Sequence, residues 1–253
     1  HKPLFDHARR IGITIFSSPF DKDAVNLLEA LDTPAYKIAS PEIIDFDLIE
    51  ACAKTGKPLI ISTGMASIEE IDEAVNVAKS AGACNVLLLH CISAYPTPIE
   101  QANLNTISDL SLRFNASIGL SDHTNGSLAA TLAVAQGAVL IEKHITLSKS
   151  NGAVDNAFSI EPKELKQLII DTKTAYLAMG KPNYSPTKNE NLMLIARRSL
   201  YTISDIRVGE TFTSDNIRSI RPNLGLHPRF YKTILGKSAS INIKRGTPLN
   251  LSM

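Results

Sequence analysis

Two histidines with acidic neighbours are the residues best suited to chemistry in this sequence. His123 lies in the string GLSDHT and His144 in the string IEKHIT, each at the end of a short apolar run. Neutral imidazoles are good ligands for Mn²⁺, Zn²⁺ or Fe²⁺. Two of them would leave coordination positions open for water or a substrate oxygen, as a Lewis-acid role requires. Two hydrogen-bonded histidines at a strand rim are the alternative, and Asp122 and Glu142 beside them keep both interpretations open.

Lys37 is a charged residue inside an otherwise apolar segment, YKIAS. A buried ammonium group needs an anionic partner, either a carboxylate of the protein or a phosphate or carboxylate of a ligand. Serines recur at the ends of the neighbouring apolar runs and could add donors around a compact anion: Ser18, Ser40, Ser62, Ser93 and Ser121. Each serine alone fits turn chemistry, and Lys37 alone fits a buried salt bridge. The recurrence of the serines favours an anion-binding site.

Two other segments carry weaker signals. Tyr95 opens the rigid string YPTP after an apolar run, which fits a turn with a packed tyrosine. Arg221 precedes a glycine-containing loop, RPNLG, and taken alone it indicates a solvated surface arginine. Neither segment assigns a chemical role by itself.

Apart from Arg221, the candidate residues named so far lie at or near the ends of apolar runs that alternate with helical segments. The runs are rich in Ile, Val and Leu, as expected of parallel strands covered on both faces. They span residues 11–16, 35–39, 58–61, 86–89, 116–120 and 139–145. The helical segments have start and stop signals, such as the capping-box pair Ser67 and Glu70 followed by Gly82. This alternation predicts an α/β fold with a parallel sheet.

The parallel sheet could be an open doubly wound sheet or a (β/α)₈ TIM barrel. No GxGxxG and no GxxxxGK[ST] follows any of the runs, which weakens a nucleotide-binding open sheet. Polar residues at the C-terminal ends of many strands are the arrangement of a barrel. A barrel has eight units and the sequence supplies about six, so either the chain lacks the first two N-terminal units or the barrel interpretation is wrong.

The character of the sequence changes after residue 180. We expect the barrel to occupy residues 1–180, a linker with prolines and no periodicity to occupy 181–191, and a small β-rich domain to occupy 192–253. Within the last domain, residues 206–212 and 243–249 echo each other as strand, glycine-closed turn and strand.

The overall composition argues against several classes of protein. A net charge of +1, an aromatic content of 6% and the absence of Trp disfavour a nucleic-acid partner. No apolar run approaches the roughly 20 residues that span a bilayer, and no leader-like segment opens the chain. The three cysteines, Cys52, Cys84 and Cys91, indicate reduced thiols of a cytoplasmic protein.

Taken together, these strings resemble the sialic acid synthase family across essentially the whole chain and in the family's order. The matching strings are FSSPFD (16–21), YKIAS (36–40), ISTGM (61–65), LHC (89–91), YPTP (95–98), GLSDHT (119–124) and IEKHIT (141–146). The tail resembles the family's antifreeze-protein-like SAF domain through DIRVGE (205–210), SIRP (219–222) and LGK (235–237). So many ordered matches make the resemblance specific.

The resemblance implies a (β/α)₈ barrel and a C-terminal SAF domain that reaches across a homodimer into the partner's active site. It also implies condensation of phosphoenolpyruvate with an amino-sugar aldehyde, release of phosphate, and a divalent metal, commonly Mn²⁺. The family's first two barrel units, and with them an acidic residue and a lysine of the active site, have no counterpart here. A molecule that truly began at His1 is therefore expected to be inactive.

The resemblance assigns roles residue by residue. The metal-binding histidines correspond to His123 and His144. Phosphoenolpyruvate-binding positions correspond to Lys37, Ser40, Ser62 and Ser121. Residues that shape the acceptor pocket correspond to Tyr95, Asp155 and Arg221, the arginine being supplied by the partner subunit. Ser18 stands where the family often has Thr and Ser93 where some members have Asn, and both keep a hydrogen-bonding side chain.

Three strings point to a branch within the family. VDNAFS (154–159), RSIRP (218–222) and GLHP (225–228) resemble pseudaminic acid synthases more than N-acetylneuraminate synthases. This implies 2,4-diacetamido-2,4,6-trideoxy-altrose as the acceptor, with N-acetylmannosamine as the alternative.

The catalytic set predicted from these observations consists of His123, His144, Glu142 and Lys37. Glu142 is a candidate for proton transfer or for orienting the metal, and the sequence does not separate the two roles. One rival is a Schiff-base aldolase with Lys37 or Lys143 as nucleophile. Another is a catalytically inactive carbohydrate-binding or assembly protein.

Overall fold

The computed structural model of this protein divides into two compact units, residues 1–180 and 181–253. It describes the backbone of residues 1–253 and all side chains except that of Asn151. Each unit has a hydrophobic core of its own. Nowhere in the described chain does a helix combine the length and apolarity needed to cross a membrane.

A parallel sheet forms the centre of the first unit. Its strands are β1 (Tyr36–Ile38), β2 (Leu59–Ser62), β3 (Val86–Cys91), β4 (Ser117–Asp122) and β5 (Ile141–Lys143). Neighbouring strands are hydrogen-bonded in the sequential order β1-β2-β3-β4-β5. A doubly wound sheet reverses its strand order at a switch point, so this order excludes that alternative. The sheet is the wall of a barrel-type fold, as predicted.

Helices precede the sheet and follow each of its strands. They are α1 (Lys2–Ile11), α2 (Lys22–Ala30), α3 (Phe46–Ala53), α4 (Ile68–Ser80), α5 (Asn105–Phe114), α6 (Leu128–Ala135) and α7 (Pro162–Met179). The predicted capping box of Ser67 and Glu70 begins α4, and Gly82 follows this helix with a φ of 101°. The apolar faces of the helices cover β1–β4, whose residues are mostly buried.

The prediction of a first strand at residues 11–16 is wrong in its extent. Helix α1 continues to Ile11, and the only pairing nearby is a single parallel bridge between Ser17 and Tyr36. Ile13 and Phe16 are exposed, so this segment lacks the apolar cover that the other strands have. An apolar run without partners on both faces does not form an extended ladder here.

The second unit is small and largely irregular. Antiparallel strands β6 (Ser199–Thr202) and β7 (Ile217–Ile220) pair with each other, and two short helices are α8 (Lys188–Asn191) and α9 (Tyr231–Ile234). The two echoing segments meet at a bridge between Ile206 and Ile243, and their turn glycines, Gly209 and Gly246, share a φ of 83°. The last residues of the predicted linker form α8. This short helix begins with a capping box.

Candidate active site

The ends of β4 and β5 set the arrangement of the predicted site. The two strands pair Ser121 with Glu142 and Asp122 with Lys143. Successive side chains of a strand point to opposite faces, and the histidines continue the same alternation. One face therefore carries Ser121, Glu142, His123 and His144. The ion pair of Asp122 and Lys143 belongs to the opposite face.

Lys37 of β1 points toward Glu142 of this group. Its Nζ donates hydrogen bonds to Ser62 Oγ at 2.7 Å and to the Ile38 carbonyl at 3.1 Å. The nearest Glu142 carboxylate oxygen is 3.7 Å away, beyond hydrogen-bond distance. Burial lowers the pKa of Lys37, and the Glu142 carboxylate opposes that change. An ammonium group with three donors and two close acceptors retains one donor for an incoming anion.

The rim serines and a glycine form a tight cradle beside Lys37. A Cβ added at Gly64, whose φ is 33°, would lie 2.3 Å from Ser40 Cβ and 2.8 Å from Ser93 Oγ. Ser93 Oγ is buried and has no hydrogen-bond partner among the described residues. Ser40 Oγ donates to Cys91 Sγ at 3.5 Å. A buried hydroxyl without a partner is costly, so this cradle suits a ligand that accepts hydrogen bonds.

Glu142 links the serine cluster to the lysine. Ser121 Oγ donates to Glu142 Oε1 at 2.5 Å, and Glu142 Oε2 faces Lys37. The Glu142 side chain is 37% exposed, so solvent or a ligand can reach it. A carboxylate held between a hydroxyl and an ammonium is well placed to accept or return a proton.

The two histidine rings lie close together in an edge-to-face arrangement. Their ring centroids are 5.3 Å apart. His123 Nδ1 lies 3.0 Å from the Ile92 carbonyl, and His144 Nδ1 lies 3.3 Å from Asp155 Oδ2. A ring that donates through Nδ1 keeps the Nε2 lone pair free, and such second contacts are typical of histidines that bind metals.

The surroundings of His123 bear on which ring nitrogen carries its proton. Burial acts to lower the pKa of His123, but hydrogen bonds to Cys91 and to the Ile92 carbonyl outweigh it, so the pKa lies above its ordinary value. Burial acts to raise the pKa of Cys91, and hydrogen bonds with His123 and Ser40 bring it below its ordinary value. Acceptors therefore surround His123 Nδ1 and hold its proton there.

The donor set fits a divalent cation with open positions. No group of three or more His, Cys, Asp or Glu residues converges on one point within the described side chains. The pair of His123 and His144 supplies two nitrogens, which suit Mn²⁺, Zn²⁺ or Fe²⁺. Any cation held by this pair would complete its coordination with water or substrate oxygens.

Aromatic rings line the site next to the histidines. The ring centroid of Tyr95 is 4.4 Å from that of His123 and 5.3 Å from that of Phe158, which in turn is 4.9 Å from His144. A bond from the Thr97 amide to the His123 carbonyl, 2.9 Å long, holds the loop of Tyr95 in place. Tyr95 is 55% exposed and therefore accessible to a ligand. These rings form one wall beside the histidine pair.

A bridge between Ile145 and Ile160 brings the segment before α7 to the histidines. It places Asp155 against His144 and places Phe158 in the aromatic wall. Sequence reasoning assigned Asp155 to the acceptor pocket only through the resemblance, and Phe158 was missed. The signal was present in VDNAFS, but the sequence alone does not show that Ile160, directly after this string, bridges to Ile145 after β5.

Glu42 is a second residue that sequence reasoning missed. Its Oε2 is buried and has no hydrogen-bond partner among the described residues, and its charge acts to raise the pKa of Lys37. It lies in the 3₁₀ turn Ser40–Ile44 that follows β1. A glutamate two residues after the predicted Ser40 was the available signal.

Two predicted residues lie outside these contacts. Ser18 is half-buried next to Ser17, whose carbonyl accepts a bond from the Lys37 amide at 3.5 Å, and no hydrogen bond joins the Ser18 side chain to the described site. Arg221 belongs to the second unit, where it follows β7 with an exposed side chain. The buried Ser199 holds the loop after Arg221 through its bonds with the Pro222 carbonyl and the Gly225 amide. The substrate roles of both residues stay predictions.

Comparison with known protein families gives two matches that cover most of the chain. Residues 1–184 match the NeuB family, and residues 197–253 match the SAF domain. The chain belongs to the NeuB family. The resemblance inferred from the sequence is therefore confirmed for both units.

Named relatives of this NeuB-family chain span nearly all of it. The pseudaminic acid synthase of Helicobacter pylori is 46% identical over 252 residues, which is 99% of this chain and 74% of the relative. The N,N'-diacetyllegionaminic acid synthase of Campylobacter jejuni is 41% identical over 250 residues, covering 96% and 74%. The crystal structure of the Bacillus subtilis spore coat polysaccharide biosynthesis protein spsE superposes with a TM-score of 0.68 at 32% identity, covering 99% and 75%.

Proposed function

We propose that this protein condenses phosphoenolpyruvate with an amino-sugar aldehyde to form a nonulosonic acid and phosphate, with pseudaminic acid as the product. The observation that carries the proposal is a buried lysine with a free donor close to Glu142, a glutamate on the same segment as one histidine of a close pair. An anion site and a site for a Lewis acid are the two things this condensation requires. Family membership and the names of its relatives fit the same chemistry.

The anionic donor substrate would bind at the end of β1 and β2. Lys37 supplies the positive charge, and the hydroxyls of Ser40, Ser62 and Ser93 supply further donors around a phosphate or carboxylate. Gly64 allows the backbone to approach this cradle closely. These groups would hold phosphoenolpyruvate through its phosphate and carboxylate.

The acceptor would bind beside the histidine pair. His123 and His144 would hold a divalent cation, Mn²⁺ in our proposal, which when bound would polarise the aldehyde oxygen. Tyr95 and Phe158 give the sugar ring an apolar wall, and Asp155 keeps the His144 ring oriented. C3 of the enol then attacks the aldehyde, water adds at C2, and phosphate leaves with cleavage of the C–O bond.

Glu142 is the group best placed to move a proton during these steps. It is the carboxylate that accepts a hydrogen bond from the Ser121 hydroxyl and also lies 3.7 Å from the Lys37 ammonium. A proton released by the attacking water could pass to Glu142, with Ser121 fixing the orientation of the carboxylate. Glu142→Gln keeps the size of the side chain but removes its basicity.

The test of the proposed function is an acceptor panel. Phosphate release is measured with phosphoenolpyruvate, Mn²⁺ and either 2,4-diacetamido-2,4,6-trideoxy-altrose or N-acetylmannosamine. We expect the intact enzyme to turn over the altrose derivative. Turnover with N-acetylmannosamine alone would assign the product to N-acetylneuraminate instead. No phosphate release with any acceptor would support a carbohydrate-binding or assembly protein.

We further propose that the protein works in the cytoplasm as a homodimer in which Arg221 serves the partner's acceptor site. The Arg221 loop is held rigidly by Ser199, and a guanidinium offers a fixed fork of donors for sugar oxygens. Arg221→Ala should raise the KM for the acceptor more than that for phosphoenolpyruvate. Mixing it with His144→Ala should restore activity, because one composite site of the heterodimer stays intact. Failure to complement despite proven subunit exchange would refute action in trans.

A lysine Schiff base is a second candidate mechanism, and one observation favours it. Burial lowers the pKa of Lys37, which makes an amine a better nucleophile. The other candidate nucleophile, Lys143, is buried in its ion pair with Asp122. Borohydride trapping of a Lys37 adduct would favour the aldolase, whereas loss of turnover in chelator would oppose it.

A further inference from the structure

A buried ion pair lies directly behind the two histidines. Lys143 Nζ is 2.7 Å from Asp122 Oδ2, and the two side chains are only 3% and 1% exposed. The other carboxylate oxygen of Asp122 accepts bonds from the Thr124 amide at 2.8 Å and from the Thr124 hydroxyl at 2.7 Å. Lys143 Nζ also donates to the Thr124 carbonyl. Both oxygens of the carboxylate are therefore occupied by partners within the protein.

The bonds of this pair join the residues on either side of His123. Asp122 and Thr124 are its two chain neighbours, and Lys143 is bonded to both of them. Lys143 is in turn the chain neighbour of His144 on the adjacent strand. A single lysine thus connects the backbone on either side of one histidine to the backbone beside the other.

We propose that Asp122 and Lys143 act as a positioning pair that fixes the distance and orientation between His123 and His144, and hence the affinity of the metal site. The inference rests on the proposed function only in taking the two histidines as metal ligands. The pair lies on the opposite face from Ser121 and Glu142, so it does not touch the reacting groups itself.

The local structure explains why the two histidines need a positioning pair. Strand β5 is three residues long and ends at Lys143, so the sheet ladder stops before His144. The ion pair and the Ser121–Glu142 hydrogen bond both link the ends of β4 and β5, but only the lysine of the ion pair also bonds the chain beyond His123, at the Thr124 carbonyl. Groups that orient metal-binding histidines typically change metal affinity by 10- to 100-fold when they are removed. We expect an effect of that size here, about 10- to 100-fold.

Two single variants distinguish positioning from a simple charge effect. Lys143→Met removes a positive charge near the site, so a through-space effect would tighten binding of a cation. Asp122→Asn removes a negative charge, so the same effect would weaken binding. Positioning instead predicts that both variants bind Mn²⁺ more weakly, because each breaks the connection around His123.

The experiment measures binding of Mn²⁺ alone and of phosphoenolpyruvate alone by calorimetry, together with thermal unfolding. Breaking a buried ion pair on one side leaves an uncompensated charge and can prevent folding. The neutral double variant Asp122→Asn/Lys143→Met avoids that charge and serves as the second test. Lys57→Met is the matched control, since it breaks the 2.6 Å ion pair with Glu29, which lies outside the site contacts.

The expected result is Mn²⁺ affinity lowered in both single variants and in the double variant. Affinity for phosphoenolpyruvate should stay within about twofold of the wild type, because Lys37 and Ser62 share no bonds with the pair. Unchanged Mn²⁺ affinity in a folded variant, tighter binding by Lys143→Met, or a wild type that binds no Mn²⁺ would overturn the proposal. A wild type that binds Mn²⁺ but makes no nonulosonic acid would refute the proposed function alone.

Discussion

Replacing Lys37 with methionine tests the anion site more directly than any other change. Methionine has a similar length and no charge, so Lys37→Met removes the ammonium group and leaves a side chain that can stay buried. The ammonium has three donors, of which Ser62 Oγ and the Ile38 carbonyl take two. Glu142 lies at 3.7 Å, so the third donor is the one offered to a ligand.

The magnitude follows from that single donor. A hydrogen bond to a charged group contributes about 1.5–3 kcal/mol. Since 1.4 kcal/mol corresponds to a factor of ten in affinity, Lys37→Met should weaken phosphoenolpyruvate binding by about 10- to 100-fold. The KM for the amino-sugar acceptor should change much less, because the acceptor wall of Tyr95 and Phe158 lies beside the histidines.

The same variant should not unfold more easily than the wild type. Burial lowers the pKa of Lys37 below 10.5, so the folded protein binds its proton less tightly than the unfolded chain does. Between the two pKa values the unfolded state holds more protons, and the free energy of unfolding therefore rises as the pH rises toward 10.5. Lys37→Met should remove this contribution, so its unfolding free energy should rise less across that alkaline window.

The assay combines calorimetry with phosphoenolpyruvate, steady-state kinetics with both substrates, and urea unfolding at several pH values. Lys57→Met is the control, because it removes a lysine of the same unit that pairs with Glu29 outside the site contacts. An unchanged affinity of Lys37→Met for phosphoenolpyruvate would refute the assignment of the anion site. A large loss of stability would show instead that Lys37 is mainly a structural ion-pair partner.

Three further predictions follow from the same geometry. His123→Ala should lower metal-dependent turnover by at least about 10- to 100-fold while phosphoenolpyruvate binding stays largely in place, and full activity in strong chelator would contradict the metal role. Gly64→Ala should lower the free energy of unfolding in urea by about 1–3 kcal/mol, because its Cβ would meet Ser40 at 2.3 Å; an unchanged urea midpoint would refute that clash. His90 Nε2 lies 2.7 Å from the Ala102 carbonyl, and burial lowers the pKa of this histidine. The free energy of unfolding of the wild type should therefore fall as the pH drops below 6.5. His90→Gln should reduce that fall in acid-unfolding curves.

The sequence by itself determined the fold class and supplied most of the residues of the candidate site. Alternating apolar runs and capped helical segments are local patterns, and they predicted five of the six strand positions within a few residues. The polar residues at the run ends were found because parallel strands bring their carboxyl ends to one rim. His123 and His144 each follow the last paired residue of their strand, Asp122 and Lys143, and this equal spacing brings the two rings close together.

Strand parity and long-range pairing were decided only by the tertiary structure. Lys143 and Lys37 were both candidate nucleophiles in the sequence, and only the register of β4 and β5 places Lys143 against Asp122 on the opposite face from Glu142. Phe158 joined the site through the bridge between Ile145 and Ile160, which no local pattern encodes. The first predicted strand was shortened to one bridge, because an apolar run extends into a ladder only where neighbouring strands and helices cover it.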